Sequence, residues 1–186
     1  MKKYMIAVAI TFALLTACND DEEKIVRENP SSFTEVGNID LGNTGASEIT
    51  AYDPKTKRLF VVCNDGSSRI DVLDLSSPAS PSKIQSIDIL PYGSGVNSVA
   101  VKNGRLAAAI EATNKQDNGK VVVFDTQNLS VVRQVTVGAM PDMITYSPDG
   151  KFILTANEGE PNSAYTNDPE GSVSIISVNE NYSVVT

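Results

Sequence analysis

The chain of 186 residues is acidic and contains no histidine. It has 15 Lys and Arg residues against 23 Asp and Glu residues, a formal net charge of −8. A surface this negative repels phosphate backbones, so nucleic acid is excluded as an expected partner. Without histidine, the chain has no His-dependent catalytic triad, no His-ligated zinc site and no histidine general base.

The first eighteen residues have the layout of an export signal. A short basic start, Met-Lys-Lys, precedes an apolar run over residues 4–15. This run is too short for a transmembrane helix, which takes about 20 residues. Residues 15–18, Leu-Thr-Ala-Cys, resemble the lipobox of bacterial lipoproteins; the resemblance implies that a signal peptide at 1–17 is removed and a diacylglycerol is attached to Cys18. The alternative is an ordinary secretory signal that ends in a chance cysteine.

Residues 18–35 are predicted to form an acidic lipidated tether. The sequence after the cysteine is Asn-Asp-Asp-Glu-Glu-Lys and stays polar through Ser32, so it cannot bury enough apolar surface to fold. In some Gram-negative groups such a cluster resembles the signal that sends lipoproteins to the outer face of the cell; the alternative is a solvated spacer without address value. We therefore expect a cell-envelope protein held on a membrane by its N-terminal lipid, at the outer membrane and exposed on the surface.

Cys63 is the other cysteine of the chain. If Cys18 is acylated, no internal disulfide can form. Cys63 ends the apolar run Leu-Phe-Val-Val-Cys, which favours a small buried side chain over a reactive nucleophile.

A repeat organises the rest of the chain, residues 36–186. Related segments begin at Glu48, Asn97 and Asp142, at steps of 49 and 45 residues. This spacing is typical of propeller blades, whereas most solenoid repeats take about 20–35 residues. The predicted blades lie near residues 37–90, 91–137 and 138–186.

Each repeat has the pattern of a small antiparallel sheet. Its apolar runs are short, rich in Val and Ile, and bounded by turn formers. Hairpin turns are predicted at 53–56, 102–104 and 147–150, and the segments 83–89 and 131–137 supply a further, more exposed strand. Four strands per repeat is the propeller count. The predicted fold class is therefore all-β, a β-propeller of four-stranded blades.

Two acidic residues, Asp71 and Asp74, lie on a predicted strand of the first repeat. Successive side chains of a strand point to opposite faces. We interpret both residues as outward positions of an alternating strand rather than as an acid and base pair.

Two resemblances refine the fold prediction. Residues 135–157 resemble the repeat of YVTN-type, YncE-like seven-bladed propellers. Gly-Ala-Ser-Glu-Ile at 45–49, Asp-Val-Leu-Asp-Leu at 71–75 and Asn-Glu-Gly-Glu-Pro-Asn at 157–162 resemble the choice-of-anchor I family, a pattern shared by mesenchyme-specific cell surface glycoprotein. The resemblance extends over residues 36–178 and implies a secreted or surface-attached propeller. It implies no settled activity, although some members are named as phosphatases.

The length provides for about three blades, whereas propellers typically have four to eight. An arc of three blades leaves strand edges open at both ends, and the sequence stops within an apolar stretch, Val-Val-Thr at 184–186. We expect an incomplete ring that is the N-terminal part of a longer protein. The alternatives are closure by self-association and a stable open sheet.

The densest polar cluster lies in the third repeat, between its second and its last predicted strand. Oxygen ligands on a loop are what Ca²⁺ takes, about six to eight of them, although the spacing does not match an EF-hand. The candidate calcium ligands are Glu158, Glu160, Asn162, Asp168 and Glu170. The alternative is a solvated acidic connection between strands. The corresponding loop of the second repeat, 111–118, could line the same face.

Two functions of different classes follow. The favoured one is a surface-anchored binding or interaction module with an unknown extracellular or periplasmic ligand, because a propeller is a scaffold whose function lies in grafted sites. The alternative is a calcium-dependent phosphoester hydrolase, similar to an alkaline phosphatase or phytase, with its active site partly outside this chain. No catalytic residue is predicted in either case.

Overall fold

The structure is a computed structural model that describes residues 29–42, 46–179 and 181–185. The predicted lipidation site, Cys18, lies outside these residues. The chain divides into two units at residues 34 and 35.

In the first unit, the described residues 29–34 are exposed and contain one turn of 3-10 helix, Pro30–Ser32. Asn29 caps this turn, because its side-chain oxygen accepts a hydrogen bond of 3.2 Å from the N–H of Ser31. Pro30 fits the first position of a helical turn, where its missing N–H would have no partner.

The second unit is all-β, and no α-helix occurs among its described residues. In the part of the chain that the structure describes, twelve strands form three four-stranded antiparallel sheets, each built from strands consecutive in the chain. This confirms the predicted fold class, and each sheet is one blade. The first blade contains β1 Thr50–Asp53, β2 Arg58–Cys63, β3 Arg69–Asp74 and β4 Ser82–Asp88; the second contains β5 Gly95–Lys102, β6 Arg105–Glu111, β7 Asn118–Asp125 and β8 Val131–Ala139; the third contains β9 Pro141–Tyr146, β10 Phe152–Asn157, β11 Ser172–Ser177 and β12 Ser183–Val184.

All three predicted hairpin turns are present, between the first and second strands of each blade. In the second blade, Lys102 pairs with Arg105, and the two turn residues Asn103 and Gly104 have φ values of +51° and +74°. Asn and Gly are the residues that accept this left-handed conformation at least cost. The sequence Lys-Asn-Gly-Arg therefore fixes the turn and the register of the two strands.

The blades pack face to face. We call the face of each blade that looks toward the following blade its forward face and the opposite one its backward face. Phe60 and Val72 on the first blade pack against Leu106 and Phe124 on the second. A second core, which contains Ala107, Ala109, Val121, Val123, Ile153 and Ile176, joins the second blade to the third. The second strand of the middle blade, β6, is buried at consecutive positions because a blade covers each of its faces.

The two outermost faces differ. On the backward face of the first blade, Cys63 and Leu73 are covered by Ile39 and Leu41 from the segment before β1. On the forward face of the third blade, Val173 is 70% exposed. The segment before β1 therefore occupies the place that a neighbouring blade has elsewhere.

Asp71 is completely buried, so its interpretation as an outward position is wrong. The residue lies on the backward face of the first blade. Its carboxylate accepts hydrogen bonds from the Ser86 hydroxyl (2.6 Å) and from Nε of Arg69 (3.1 Å) and pairs with Nζ of Lys83 (2.8 Å). The side chains of this strand do alternate between its two faces. The amino-acid sequence, however, does not reveal that the segment before β1 covers the backward face. Asp74, by contrast, is partly exposed.

Candidate binding surface at the loop end

The long connections of the three blades lie at the same end of their sheets. The second strand of each blade runs toward this end and the third strand runs away from it, so the connections 64–68, 112–117 and 158–171 emerge there. We call these three segments the loop-end surface. The hairpins between first and second strands lie at the opposite end, which we call the turn end.

Hydrogen bonds across the blade boundaries brace the loop-end surface. Nδ2 of Asn64 in the first blade donates to the carbonyl of Val96 in the second (3.1 Å), and it also donates to the carboxylate of Glu48 (2.9 Å). Nδ2 of Asn97 in the second blade donates to the carbonyl of Pro141 in the third (3.1 Å). Each amide satisfies a backbone oxygen in the first strand of the next blade, so the loop ends of neighbouring blades are held together.

The connections of the second and third blades also contact each other directly. Nε2 of Gln116 donates a hydrogen bond of 3.1 Å to the carbonyl oxygen of Glu160. The strand directions place both connections at one end of the sheets, and this bond brings them into contact. Sequence alone gave no indication of Gln116, because a glutamine in a polar loop has no distinguishing pattern.

Glu111, the last residue of β6 before the 112–117 connection, is buried, at 9% exposure. It follows the last apolar residue of β6, and its Oε1 accepts a hydrogen bond of 3.3 Å from the Ser94 hydroxyl. Its Oε2 lies 3.6 Å from Nζ of Lys115. Glu111 therefore anchors the 112–117 connection rather than presenting a free carboxylate.

The long connection of the third blade is organised by its own asparagine side chains. Oδ1 of Asn162 accepts hydrogen bonds from the backbone N–H groups of Thr166 (2.9 Å) and Asn167 (3.3 Å). At its base, Asn157 is buried and donates to the hydroxyls of Ser172 (3.1 Å) and Ser174 (3.0 Å). The connection is therefore closed by local polar contacts.

Gly159 lets the two ends of this connection approach each other. Its φ is +67°, and a Cβ at this position would lie 2.4 Å from the carbonyl oxygen of Pro169. Glycine is required here both by the left-handed backbone and by the close contact.

The five candidate calcium ligands all lie on this connection. Glu158, Glu160, Asp168 and Glu170 are exposed, and Asn162 is half-buried with its amide used in the contacts above. Across the described ranges, no group of three or more His, Cys, Asp or Glu side chains is arranged to hold a metal ion. Calcium binding at this loop stays a prediction.

The predicted buried state of Cys63 is confirmed, since the side chain has no exposed surface. Its thiol donates to Oδ2 of Asp71 at 3.5 Å. Burial, followed by the charge and hydrogen bond of Asp71, raises the pKa of the Cys63 thiol to about 11. This environment disfavours the thiolate that a nucleophile needs.

Three stacked four-stranded blades with connections gathered at one end define a β-propeller module. The choice-of-anchor I domain model matches residues 48–186, and the chain belongs to this family. It is a cell-surface-associated β-propeller module. In the part of the chain that the structure describes, no helix is long and apolar enough to cross a membrane.

Solved structures agree on the fold. Hydrazine synthase of Kuenenia stuttgartiensis has a TM-score of 0.56 and 21% identity, and the match covers 75% of this chain and 36% of that one. A eukaryotic initiation factor has a TM-score of 0.53 and 16% identity, and the match covers 80% of this chain and 33% of that one. This chain thus matches about a third of the length of either structure, and at such identities the likeness shows the fold alone. No curated protein matches the chain.

Proposed function

We propose that this protein is a lipid-anchored binding module, held on the envelope through Cys18, that contacts its ligand with the loop-end surface. The observation that carries the proposal is the set of hydrogen bonds that Asn64, Asn97 and Gln116 donate across blade boundaries at the loop end, of which the Gln116 bond joins two connections directly. A surface whose loops are already fixed loses less conformational entropy when a ligand binds.

The charges of the loop-end surface favour a ligand that carries positive groups. One lysine, Lys115, is exposed there against several exposed carboxylates. These carboxylates are Asp117, Glu158, Glu160, Asp168 and Glu170. Complementary charge steers such a ligand to this end and sets its specificity more than its affinity.

A basic probe peptide tests the loop-end assignment. The full-length protein in detergent would be titrated with an oligolysine peptide and compared with a variant carrying Glu158→Gln and Glu160→Gln. Loss of two exposed charge pairs should weaken binding several-fold, up to about tenfold. The matched control carries Asp74→Asn and Asp149→Asn at the turn end and should bind like the unchanged protein. Equal weakening in both variants, or none in either, contradicts the proposal.

The anchor has its own test. Cys18→Ser should abolish fatty-acid labelling and release the protein from the membrane fraction. Labelling that persists, together with sedimentation in the membrane pellet, would rule out lipid attachment at this residue.

The calcium prediction is tested by melting temperatures in EDTA and in millimolar Ca²⁺. A ligand that binds only the folded state stabilises it by about 2.7 kcal/mol at a hundredfold excess over Kd. The rise should be absent from a variant with Glu158, Glu160 and Asp168 changed to the corresponding amides. Equal melting temperatures in both buffers would contradict calcium binding and favour the alternative, a solvated acidic connection between strands.

A further inference from the structure

The two ends of the stacked sheets differ in charge. Among the described residues, the connections between strands at the loop end, together with the strand residues that bound them, contain eight carboxylates and two basic residues: Asp65, Asp88, Glu111, Asp117, Glu158, Glu160, Asp168 and Glu170 against Arg69 and Lys115. The corresponding positions at the turn end contain six basic residues and four carboxylates: Lys55, Lys57, Arg58, Lys102, Arg105 and Lys151 against Asp53, Asp74, Asp125 and Asp149. Negative charge is therefore concentrated at the loop end.

The carboxylates at the turn end are used by the fold itself. Asp53 is 2% exposed and accepts a hydrogen bond of 3.2 Å from the N–H of Lys55. Asp125 pairs with Nη1 of Arg105. By contrast, Lys55 and Lys57 are exposed, and in the described part of the chain their ammonium groups form no ion pair. The first hairpin therefore presents two positive charges to the outside.

The chain enters the body at the turn end. The second unit begins at Glu35, and Gly37 lies so close to the connection between β3 and β4 that a Cβ on it would collide with the carbonyl oxygen of Pro78. The segment then runs to the loop end, where the carbonyl of Leu41 accepts a hydrogen bond of 3.4 Å from Nη2 of Arg69. The residues that precede this segment therefore join the body at the turn end.

A tether from Cys18 to Glu35 limits the distance of the body from a membrane but does not fix its orientation. Fully extended, residues 18–35 span at most roughly 60 Å. Orientation is therefore decided by forces that act close to the surface, and the Debye length at physiological ionic strength is about 8 Å. Within that range, a charged surface meets the charge of whichever end of the body faces it.

We propose that the turn end faces a membrane surface of anionic lipid headgroups and that the loop-end surface points away from it. This inference rests on the lipid attachment proposed above. Anionic headgroups attract the lysines of the turn end and repel the carboxylates of the loop end, and both effects favour the same orientation. They act through the field of a whole end of the body, so no converging set of donors is needed. The entry of the chain at the turn end agrees with this orientation, since the loop end is then the part of the body farther from the anchor.

The orientation keeps the loop-end surface open to the medium. β8, with nine residues, is about 30 Å long, so the blades hold the loop-end surface several Debye lengths from the headgroups. At that distance the negative potential of the membrane is screened and does not compete for a positively charged ligand. The loop-end carboxylates are thus the first charges that such a ligand meets when it approaches from the medium.

Energy transfer from a dye on the protein to a dye on lipid headgroups measures the orientation. The lipidated full-length protein would be reconstituted into vesicles of phosphatidylcholine alone and of phosphatidylcholine mixed with the anionic lipid phosphatidylglycerol. The protein dye is attached through Gln127→Cys at the turn end or Ser163→Cys at the loop end, both exposed positions, while Cys63 is buried.

In the anionic vesicles the turn-end dye should transfer at least about twofold more efficiently than the loop-end dye, because about 30 Å of strand separates the two ends. This ratio should fall in the neutral vesicles. It should also fall in 1 M salt, where the Debye length is about 3 Å.

Two variants test which charges set the orientation. A variant carrying Lys55→Gln and Lys57→Gln should shift the ratio of the two transfer efficiencies toward its value in neutral vesicles, because two exposed charges are lost from the turn end. A matched variant removes the same charge elsewhere: Lys115→Gln at the loop end and Arg133→Gln, which is exposed on β8. This variant should keep the ratio of the unchanged protein. Unchanged melting temperatures show that both variants fold.

The outcomes separate the orientation from the anchor. Equal transfer from the two dyes in anionic vesicles, higher transfer from the loop-end dye, or an equal shift in the two variants overturns the orientation and leaves the lipid attachment in place. A protein that attaches to neither kind of vesicle shows no transfer from either dye, and this result overturns the anchor and the orientation together.

Discussion

Nζ of Lys83 lies 2.8 Å from Oδ1 of Asp71, an ion pair that joins the fourth strand of the first blade to a fully buried carboxylate on its third strand. Arg69 and Ser86 complete the set of donors around Asp71. Because the backward face is covered by the segment before β1, this network holds that segment as well: Nη2 of Arg69 donates to the carbonyl of Leu41 at 3.4 Å.

Replacing the buried carboxylate should destabilise the protein strongly. Asp71→Ala leaves the cations of Arg69 and Lys83 without their shared partner, which costs on the order of 3 kcal/mol. Urea unfolding would measure the loss. Asp74→Asn on the same strand is the control and should change the free energy of unfolding by less than about 0.5 kcal/mol. Equal effects of the two substitutions would contradict the network's role.

The same network predicts loss of stability in acid. Burial alone raises the pKa of Asp71, but hydrogen bonds from Lys83, Ser86 and Arg69 lower it to a net value below the ordinary 3.8. A depressed pKa stabilises the folded state above the unfolded-state pKa, and this contribution is lost as the pH falls through the folded-state pKa. The difference in unfolding free energy between the unchanged protein and Asp71→Asn should therefore be constant near neutral pH and shrink below about pH 4. A constant difference down to pH 2 would contradict this.

Cys63 should be unreactive in the folded protein. With a pKa of about 11, only about one thiol in a thousand is ionised at pH 8. In a Cys18→Ser chain, which has Cys63 as its single thiol, a disulfide reagent such as DTNB should react only after unfolding in urea. A chain that also carries Ser67→Cys, at an exposed position, should react at once at one site. Rapid stoichiometric reaction of Cys63 in the folded protein would contradict this prediction, because it would show that the thiol becomes accessible to the reagent without unfolding.

Gly138 should tolerate no side chain. A Cβ at this position of β8 would lie 2.5 Å from Oγ of Ser172 and 2.7 Å from Nδ2 of Asn157, so Gly138→Ala drives the second and third blades apart. The cost should be about 1–3 kcal/mol. Asn157→Ala removes one of the clashing groups. The double variant should therefore lose less free energy of unfolding than the sum of the losses in the two single variants. Additive losses of unfolding free energy would show that the two side chains do not contact each other.

Tyr146 carries a hydroxyl that is buried without a partner in the described part of the chain, and burial raises its pKa above the ordinary value. Its ring packs against the core between the second and third blades. Tyr146→Phe keeps this packing and removes the unpaired group, so stability should stay the same or rise by up to about 1 kcal/mol. Tyr165→Phe, at an exposed tyrosine, should have no effect. A loss above 1 kcal/mol for Tyr146→Phe alone would show that the hydroxyl has a bound partner.

The local chemistry of the sequence determined much of the fold. Turn formers such as Asn103 and Gly104 fix hairpins because they accept positive φ at little cost, and short Val- and Ile-rich runs at steps of 49 and 45 residues determine four-stranded blades. The buried state of Cys63 followed from its apolar neighbours. These features depend on residues close together in the chain.

Only the tertiary structure decided what covers each face. Asp71 has the spacing of an ordinary strand residue. It is buried because residues 39–41, about thirty positions earlier, pack on its face, and Lys83 from the next strand pairs with its carboxylate. The turn end likewise brings together basic residues from hairpins of different blades. Arrangements of this kind depend on how sheets stack, which no local pattern encodes, and for that reason the buried network and the difference in charge between the two ends emerge only once the chain has folded.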